Sequence, residues 1–216
     1  MLGAIIGDIV GSRWEFFATN DYNFELFSDK NDFTDDTICT IAVADAIMHQ
    51  KSYGAALHEW CRRYPNPMGS YGGRFNAWVR SDEPQPYGSY GNGAAMRVSA
   101  IGWAFSDEES VLANAEQSAA CTHNHPEGVK GAQTVALAIH LALKLRRCHQ
   151  GEPVLHGEMM EKVIARCVEF SGYDINIRRE SVLNRFDETC QGTVPVALCI
   201  ISKSVNFEDA IRTAVS

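Results

Sequence analysis

Apolar residues recur along the chain with a helical rather than a two-residue period. In the opening stretch Gly3, Gly7 and Gly11 fall at i, i+4 and i+8 within an otherwise apolar run, and Asp8, Ser12 and Glu15 follow a neighbouring stripe. Glycine inside a helix costs roughly 0.5–1 kcal/mol relative to alanine, so three on one stripe predict a backbone that something approaches closely. Thr34 reads as an N-cap with Asp35 and Asp36 in the first turn, and the apolar period continues through Ile38, Ile41, Ala42 and Ile47. A further helix is predicted over 53–63. Residues 64–90, rich in Gly, Pro and Tyr, read as a long loop around a short helix at 74–79. The pattern is helical again over 93–105. Ser106 and Glu109 form a capping box for a helix carrying Val111, Leu112, Ala115 and Ala119. Pro126 suits the first position of the next helix, 126–147, whose mostly apolar surface predicts a central place. Helices over 156–170 and 195–202 follow, and a last one opens at Asn206 and is still running at Ser216. No run of alternating β-branched residues suggests a strand. The expected architecture is all-α: a single compact multi-helix domain of roughly ten helices.

Composition narrows the class. A chain of 216 residues suggests one domain, and 45% hydrophobic with 10% aromatic residues excludes disorder as the main state. The 27 acids outnumber the 19 bases, for a net charge of −8, which argues against a nucleic-acid partner. The paired arginines at 62–63, 146–147 and 178–179 read as solvated helix ends. The cysteines number seven, an odd count with no C-x-x-C, so a reducing, cytoplasmic compartment is expected. The first twelve residues carry Asp8 and lack a basic flank, unlike a signal peptide. The longest apolar stretch, 135–145, is interrupted by His140 and too short to span a bilayer, so no membrane partner is expected.

Four groups could carry chemistry. Asp35 and Asp36 behind Thr34 supply hard oxygen ligands suited to Mg²⁺, Mn²⁺ or Ca²⁺, and the same acids also simply complement a helix dipole. Gly88-Ser89-Tyr90-Gly91-Asn92-Gly93 runs straight into a helix; its backbone N–H groups could face an anion, or form an ordinary tight turn. It matches neither the P-loop nor G-x-G-x-x-G. His123-Asn124-His125 contains a His-x-His pair without a third zinc ligand at obvious spacing; His125 could equally be an N-cap and His123 a buried, hydrogen-bonded histidine. His140 reads as a core residue. Asp8 and Glu15 beside the glycine stripe are costly unless paired or exposed in a cleft, which points to a site role for one of them.

In this order the motifs resemble the ADP-ribosylglycohydrolase family, the relatives of dinitrogenase-reductase-activating glycohydrolase. The matching stretches are 3–12 with Glu15, 33–37, 88–97 and 122–128, followed by 190–195 and 207–211 as the run-up to the family's C-terminal motif. The resemblance implies an all-helical fold and a metal-dependent hydrolase with two divalent ions, Mg²⁺ or Mn²⁺, that removes ADP-ribose from an acceptor. That acceptor would be an ADP-ribosylated protein side chain such as arginine, or a small-molecule conjugate. It implies Thr34, Asp35 and Asp36 as metal ligands and Glu15 as an acid near the scissile bond. Gly88, Ser89 and Tyr90 would cradle the diphosphate, Asn92 shape the turn, and His123 line the cleft.

Family members continue into a Gly-Gly-Asp-x-Asp-Thr segment that supplies further metal ligands, whereas Ser216 stands where it would begin. The expectation is therefore a domain over 1–216 that is C-terminally incomplete, binds divalent metal weakly, is a poor hydrolase, and self-associates through exposed apolar surface. The alternative is a non-catalytic ADP-ribose-binding or structural protein that retains the fold.

Overall fold

The computed structural model describes residues 1–148 and 156–216. Among them the elements are helices: α1 Leu2–Gly11, α2 Asp35–His49, α3 Tyr53–Arg63, α4 Gly73–Arg80, α5 Ser99–Ala104, α6 Glu108–Ala120, α7 Pro126–Cys148, α8 His156–Ser171, α9 Arg179–Val182, α10 Cys190–Lys203 and α11 Phe207–Val215. Two 3₁₀ turns, Ser12–Trp14 and Asn92–Ala94, complete them. The all-α expectation holds, and the described residues contain isolated backbone bridges but no strand.

The central helix is α7, as its apolar character predicts. It packs against α5 and α6 on one side and α8 and α10 on the other. Val43, Ile101, Val111, Ala115 and Ala132 form the core between α2, α5, α6 and α7. Leu137, Val163, Cys167, Val194 and Leu198 form a second between α7, α8 and α10. Ile38, Cys39, Leu57, Cys61, Phe75 and Trp78 form a third under α2, α3 and α4. Burying each Val, Leu, Ile or Phe among these stabilises the fold by about 1.5–3 kcal/mol. Gly131 lets α10 sit against α7 at the Cys190 side chain, a place where a Cβ would clash with that thiol.

Local chemistry explains most helix starts. Thr34 caps α2, its hydroxyl accepting from the Asp36 N–H, and Ser52, Thr189 and Asn206 cap α3, α10 and α11 in the same way. His125 caps α7, Nδ1 accepting from the Glu127 N–H. Three expectations are corrected. The cap of α6 is Asp107, accepting from the Ser110 N–H at 2.8 Å, not Ser106; the carboxylate competes better than the hydroxyl for the same orphan donors. The 93–105 helix is broken into the 3₁₀ turn and α5, because the segment between them folds inward to bury Arg97. Helix α10 begins at Cys190 rather than near Pro195, which sits in its second turn and leaves the Gln191 carbonyl without an i→i−4 donor. Helix α9 carried no periodic signal, being only four residues long.

Candidate functional site

The helices leave a cleft of about 920 Å³, walled by α1, α2, the loop before α4, the 3₁₀ turn at 92–94, α7, α10 and α11. The close approach expected along the glycine stripe occurs only at Gly3, away from the cleft. A Cβ at Gly3 would press on the Phe207 ring at 3.2 Å, while Gly7 and Gly11 face open space and line the cleft.

One end is acidic. Asp8, Glu15, Asp35 and Asp36 line it, while Asp187 and Glu188 line the cleft and also the groove beside Ser89 and Tyr90. Asp8 is spent structurally: its carboxylate accepts the Thr34 N–H at 2.9 Å and hydroxyl at 2.5 Å, and the Thr37 N–H at 3.2 Å and hydroxyl at 2.5 Å. It thereby fixes the first turn of α2 and aims Asp35 and Asp36. Burial raises the pKa of Asp35 to about 7, with the charges of Glu15 and Asp8 adding to the effect. Burial, then Asp35, Asp8 and Glu15, hold Asp36 well above the ordinary carboxylate range. Glu15 is raised by burial, then by Asp8 and Glu188. It packs against Gly69, where φ is +78° and a Cβ would collide with the carboxylate. Of the two acids flanking the glycine stripe, Asp8 is thus a positioning residue and Glu15 remains available. Among the described residues no ion pair neutralises Glu15, Asp35, Asp36 or Glu188.

This donor set is hard oxygen throughout and lacks a basic partner, so a divalent cation is its natural counter-charge. Thr34 Oγ1 donates to Asp8 and accepts from the Asp36 N–H, which leaves one lone pair for a further bond. Among the described residues no group of three or more His, Cys, Asp or Glu side chains converges tightly enough to close a ligand shell. The residues present fit part of a metal site.

The glycine-loop side carries both signs, with Arg74 and Arg97 lining the cleft and Asp187 and Glu188 beside the loop. The Gly88–Asn92 loop leads into the 3₁₀ turn, with Gly88 at φ +65°, a conformation that suits glycine. Its N–H groups divide into two sets. Gly88 donates to Asn124 Oδ1 at 2.7 Å, Gly91 to Ser89 Oγ at 3.2 Å and Asn92 to the Glu188 carbonyl at 2.6 Å. The N–H groups of Ser89 and Tyr90 have no partner among the described residues, and these two can face an anion. Ser89 and Asn92 line the main cleft; Tyr90 lines an adjoining groove with Arg74 and Phe186, its ring edge-on to His125 at 5.2 Å; Gly88 lines neither. A Cβ at Gly128 would stand 2.7 Å from the Ser89 carbonyl, so this glycine lets α7 approach the loop. His123 is buried and lines the cleft next to Gly91 and Gly93. His140, as expected, is a core histidine.

Two backbone bridges hold the rims: Thr34 with Met68, and Gly91 with Thr189. Arg74, Arg97, Asn124 and Glu188 shape the site beyond the residues that the sequence singles out. Asn124 carried a signal, a short amide between two histidines just before a helix. Glu188 did not, since Asp187-Glu188-Thr189 reads only as a cap.

An all-helical domain with acids on a helix N-terminus facing a glycine loop across one cleft defines a class. The family profile described as ADP-ribosylglycohydrolase matches residues 1–216, and the chain belongs to that family. It is 30% identical over 177 aligned positions to the human ADP-ribosylhydrolase ARH3, an alignment covering 67% of this chain and 49% of that protein. It is 41% identical over 87 positions to the Gallus gallus ADP-ribosylhydrolase ARH3, covering 40% of this chain and 22% of the relative. The chain thus spans about half the length of the human relative. A solved structure titled "ADP-ribosylglycohydrolase-related protein complex" shares the fold with a TM-score of 0.69 and 20% identity, over 99% of this chain and 77% of that one. No described helix is long and apolar enough to cross a membrane, and all seven cysteines are free thiols.

Proposed function

We propose that this chain forms the cleft of a metal-dependent hydrolase that releases ADP-ribose from a modified acceptor, an ADP-ribosylated protein side chain such as arginine or a related conjugate. The observation that carries this is a single cleft with unneutralised acids around Asp35 and Asp36 on one side and, on the other, the free N–H groups of Ser89 and Tyr90 near the charges of Arg74 and the buried Arg97. An ADP-ribosyl conjugate has the matching polarity, with a diphosphate at its middle and a glycosidic carbon at one end.

In this reading Thr34, Asp35 and Asp36 would hold Mg²⁺ or Mn²⁺, which would supply Lewis acidity at the acidic side of the cleft. The remaining steps belong to the chain. Ser89 and Tyr90 donate their N–H groups to the diphosphate, Asn92 fixes the turn, and His123 contacts the ligand from the cleft wall. Glycosidic cleavage passes through an oxocarbenium-like transition state that needs a positioned water. Glu15, held beside Gly69, orients that water and takes its proton, a task its raised pKa favours.

The test is release of free ADP-ribose from ADP-ribosyl-arginine and ADP-ribosyl-serine peptides, with Mg²⁺, with Mn²⁺ and with chelator. Metal-dependent release that Asp36→Asn abolishes is the expected result. The incomplete ligand shell favours a second reading, a non-catalytic ADP-ribose-binding protein. A thermal shift with ADP-ribose but no turnover supports that one, and neither shift nor release overturns both.

A further inference from the structure

His123 is held at one ring nitrogen and free at the other. Nδ1 lies 2.7 Å from Thr122 Oγ1. Nε2 has no hydrogen-bond partner among the described residues and borders the glycine loop, where a Cβ would stand 3.0 Å away at position 93 and 3.7 Å away at 91. Thr122 Oγ1 also accepts from the Arg97 guanidinium at 3.0 Å. Arginine is donor-only and stays charged, so the direction of that bond is fixed. The hydroxyl then has one proton and two acceptors in reach: His123 Nδ1 at 2.7 Å and the Ala119 carbonyl at 3.5 Å. That carbonyl already accepts the His123 backbone N–H at 2.7 Å. Of the two, Nδ1 is the nearer and less occupied acceptor, and a proton given to it would leave the ring hydrogen on Nε2.

We propose that Arg97 and Thr122 lock His123 as the Nε2–H tautomer, so that the cleft presents a permanent hydrogen-bond donor, beside Gly91 and Gly93, to an oxygen of the bound ligand. The proposal rests on the reading of the cleft as an ADP-ribose site. Arg97 and Thr122 are positioning residues: they act through the imidazole. Arg97 suits the task because it is 1% exposed, is anchored on the Ser118 carbonyl, and pairs with no carboxylate among the described residues.

The groups facing the imidazole keep it neutral. They are Arg97 ahead of α5, Arg74 on α4, and the Tyr87 ring at 5.8 Å. Helix α7 offers Gly128 there and the loop offers glycines, so neither brings a charge. Burial, then the charges of Arg97 and Arg74, push the His123 pKa down to about 3. The donor is thus constant through the physiological range, whereas an ordinary histidine changes charge within it.

Nitrogen NMR of the imidazole in the full chain reads the tautomer directly, before any ligand is added. The expected result is an Nε2–H ring between about pH 5 and 8. Thr122→Val should let the ring exchange between tautomers and weaken ADP-ribose binding about tenfold, and Thr122→Ser should restore both. An Nδ1–H ring in the wild-type protein, or a tautomer and an affinity unmoved by Thr122→Val, overturns the proposal. A wild-type Nε2–H ring in a protein that does not bind ADP-ribose upholds the lock and overturns the functional reading above, so the two failures separate.

Discussion

The Asp8 carboxylate takes both the backbone N–H and the hydroxyl of Thr34, at 2.9 and 2.5 Å, so the first helix fixes where the second begins. With Thr37 contributing two more donors, α1 acts as the anvil on which the acidic first turn of α2 is shaped. Removing Asp8 leaves these donors without their acceptor. Asp8→Ala is expected to cost about 2–4 kcal/mol in a denaturant melt, whereas Asp35→Ala should cost far less, since the Asp35 side chain anchors no neighbour. Equal losses for the two would contradict this division of roles.

The raised pKa values of Asp35 and Asp36 are a statement about stability. The folded protein holds these protons more tightly than the unfolded chain does. Their stabilising contribution is complete below the ordinary value of 3.8 and is lost as pH rises through about 7 for Asp35. Metal-free Asp35→Asn should therefore match the wild type near pH 4 and exceed it by about 1–3 kcal/mol at pH 8. Paired melts in chelator at the two pH values check the sign, and a gain at the lower pH instead would refute it.

Divalent cation should act in the same place and the opposite direction. Mg²⁺ or Mn²⁺ is expected to raise the melting temperature more at pH 8 than at pH 5, because protonated acids are poor ligands. Chelator should reverse the shift, and Asp36→Asn should abolish it. A shift of equal size in Asp36→Asn would move the cation elsewhere.

Gly128 is a test of the loop. Alanine there meets the Ser89 carbonyl at 2.7 Å and the His123 carbonyl at 3.0 Å, both backbone atoms that cannot swing aside. Gly128→Ala is expected to cost about 1–3 kcal/mol of stability and to weaken ADP-ribose binding measured by calorimetry. Unchanged affinity would dissociate the loop from the ligand.

Asn124 secures the same loop from the other side, accepting from the Gly88 N–H at 2.7 Å. Asn124→Ala should weaken ADP-ribose binding several-fold while leaving metal binding intact, a split that two titrations on one preparation can read. Loss of both together would point to general unfolding.

Helix positions were legible because capping chemistry and apolar period are local. Thr34, Pro126 and Asn206 announce their helices in the sequence, and all three do start them. The family was legible because its motifs recur in order along the whole chain. What Asp8 does was not, since a carboxylate on a glycine-striped helix reads the same whether it faces a ligand or two threonines from the next helix. Arg97 was hidden for a related reason: a lone arginine in an apolar segment ordinarily lies on the surface, and only the packed core reveals that it is enclosed. The split of the glycine loop's N–H groups into spent and free depends on Asn124 and Glu188, which lie 36 and 96 residues away from their partners at 88 and 92.

The two rim bridges join the cleft to helix N-caps, Thr34 of α2 and Thr189 of α10. Helix ends are where native proteins open first. A ligand seated across the cleft would therefore suppress fraying of two helices that do not pack on each other, and its occupancy would register as slowed amide exchange in both opening turns at once. The cleft is in that sense a clasp, with grip set by how often two distant helix ends are closed together.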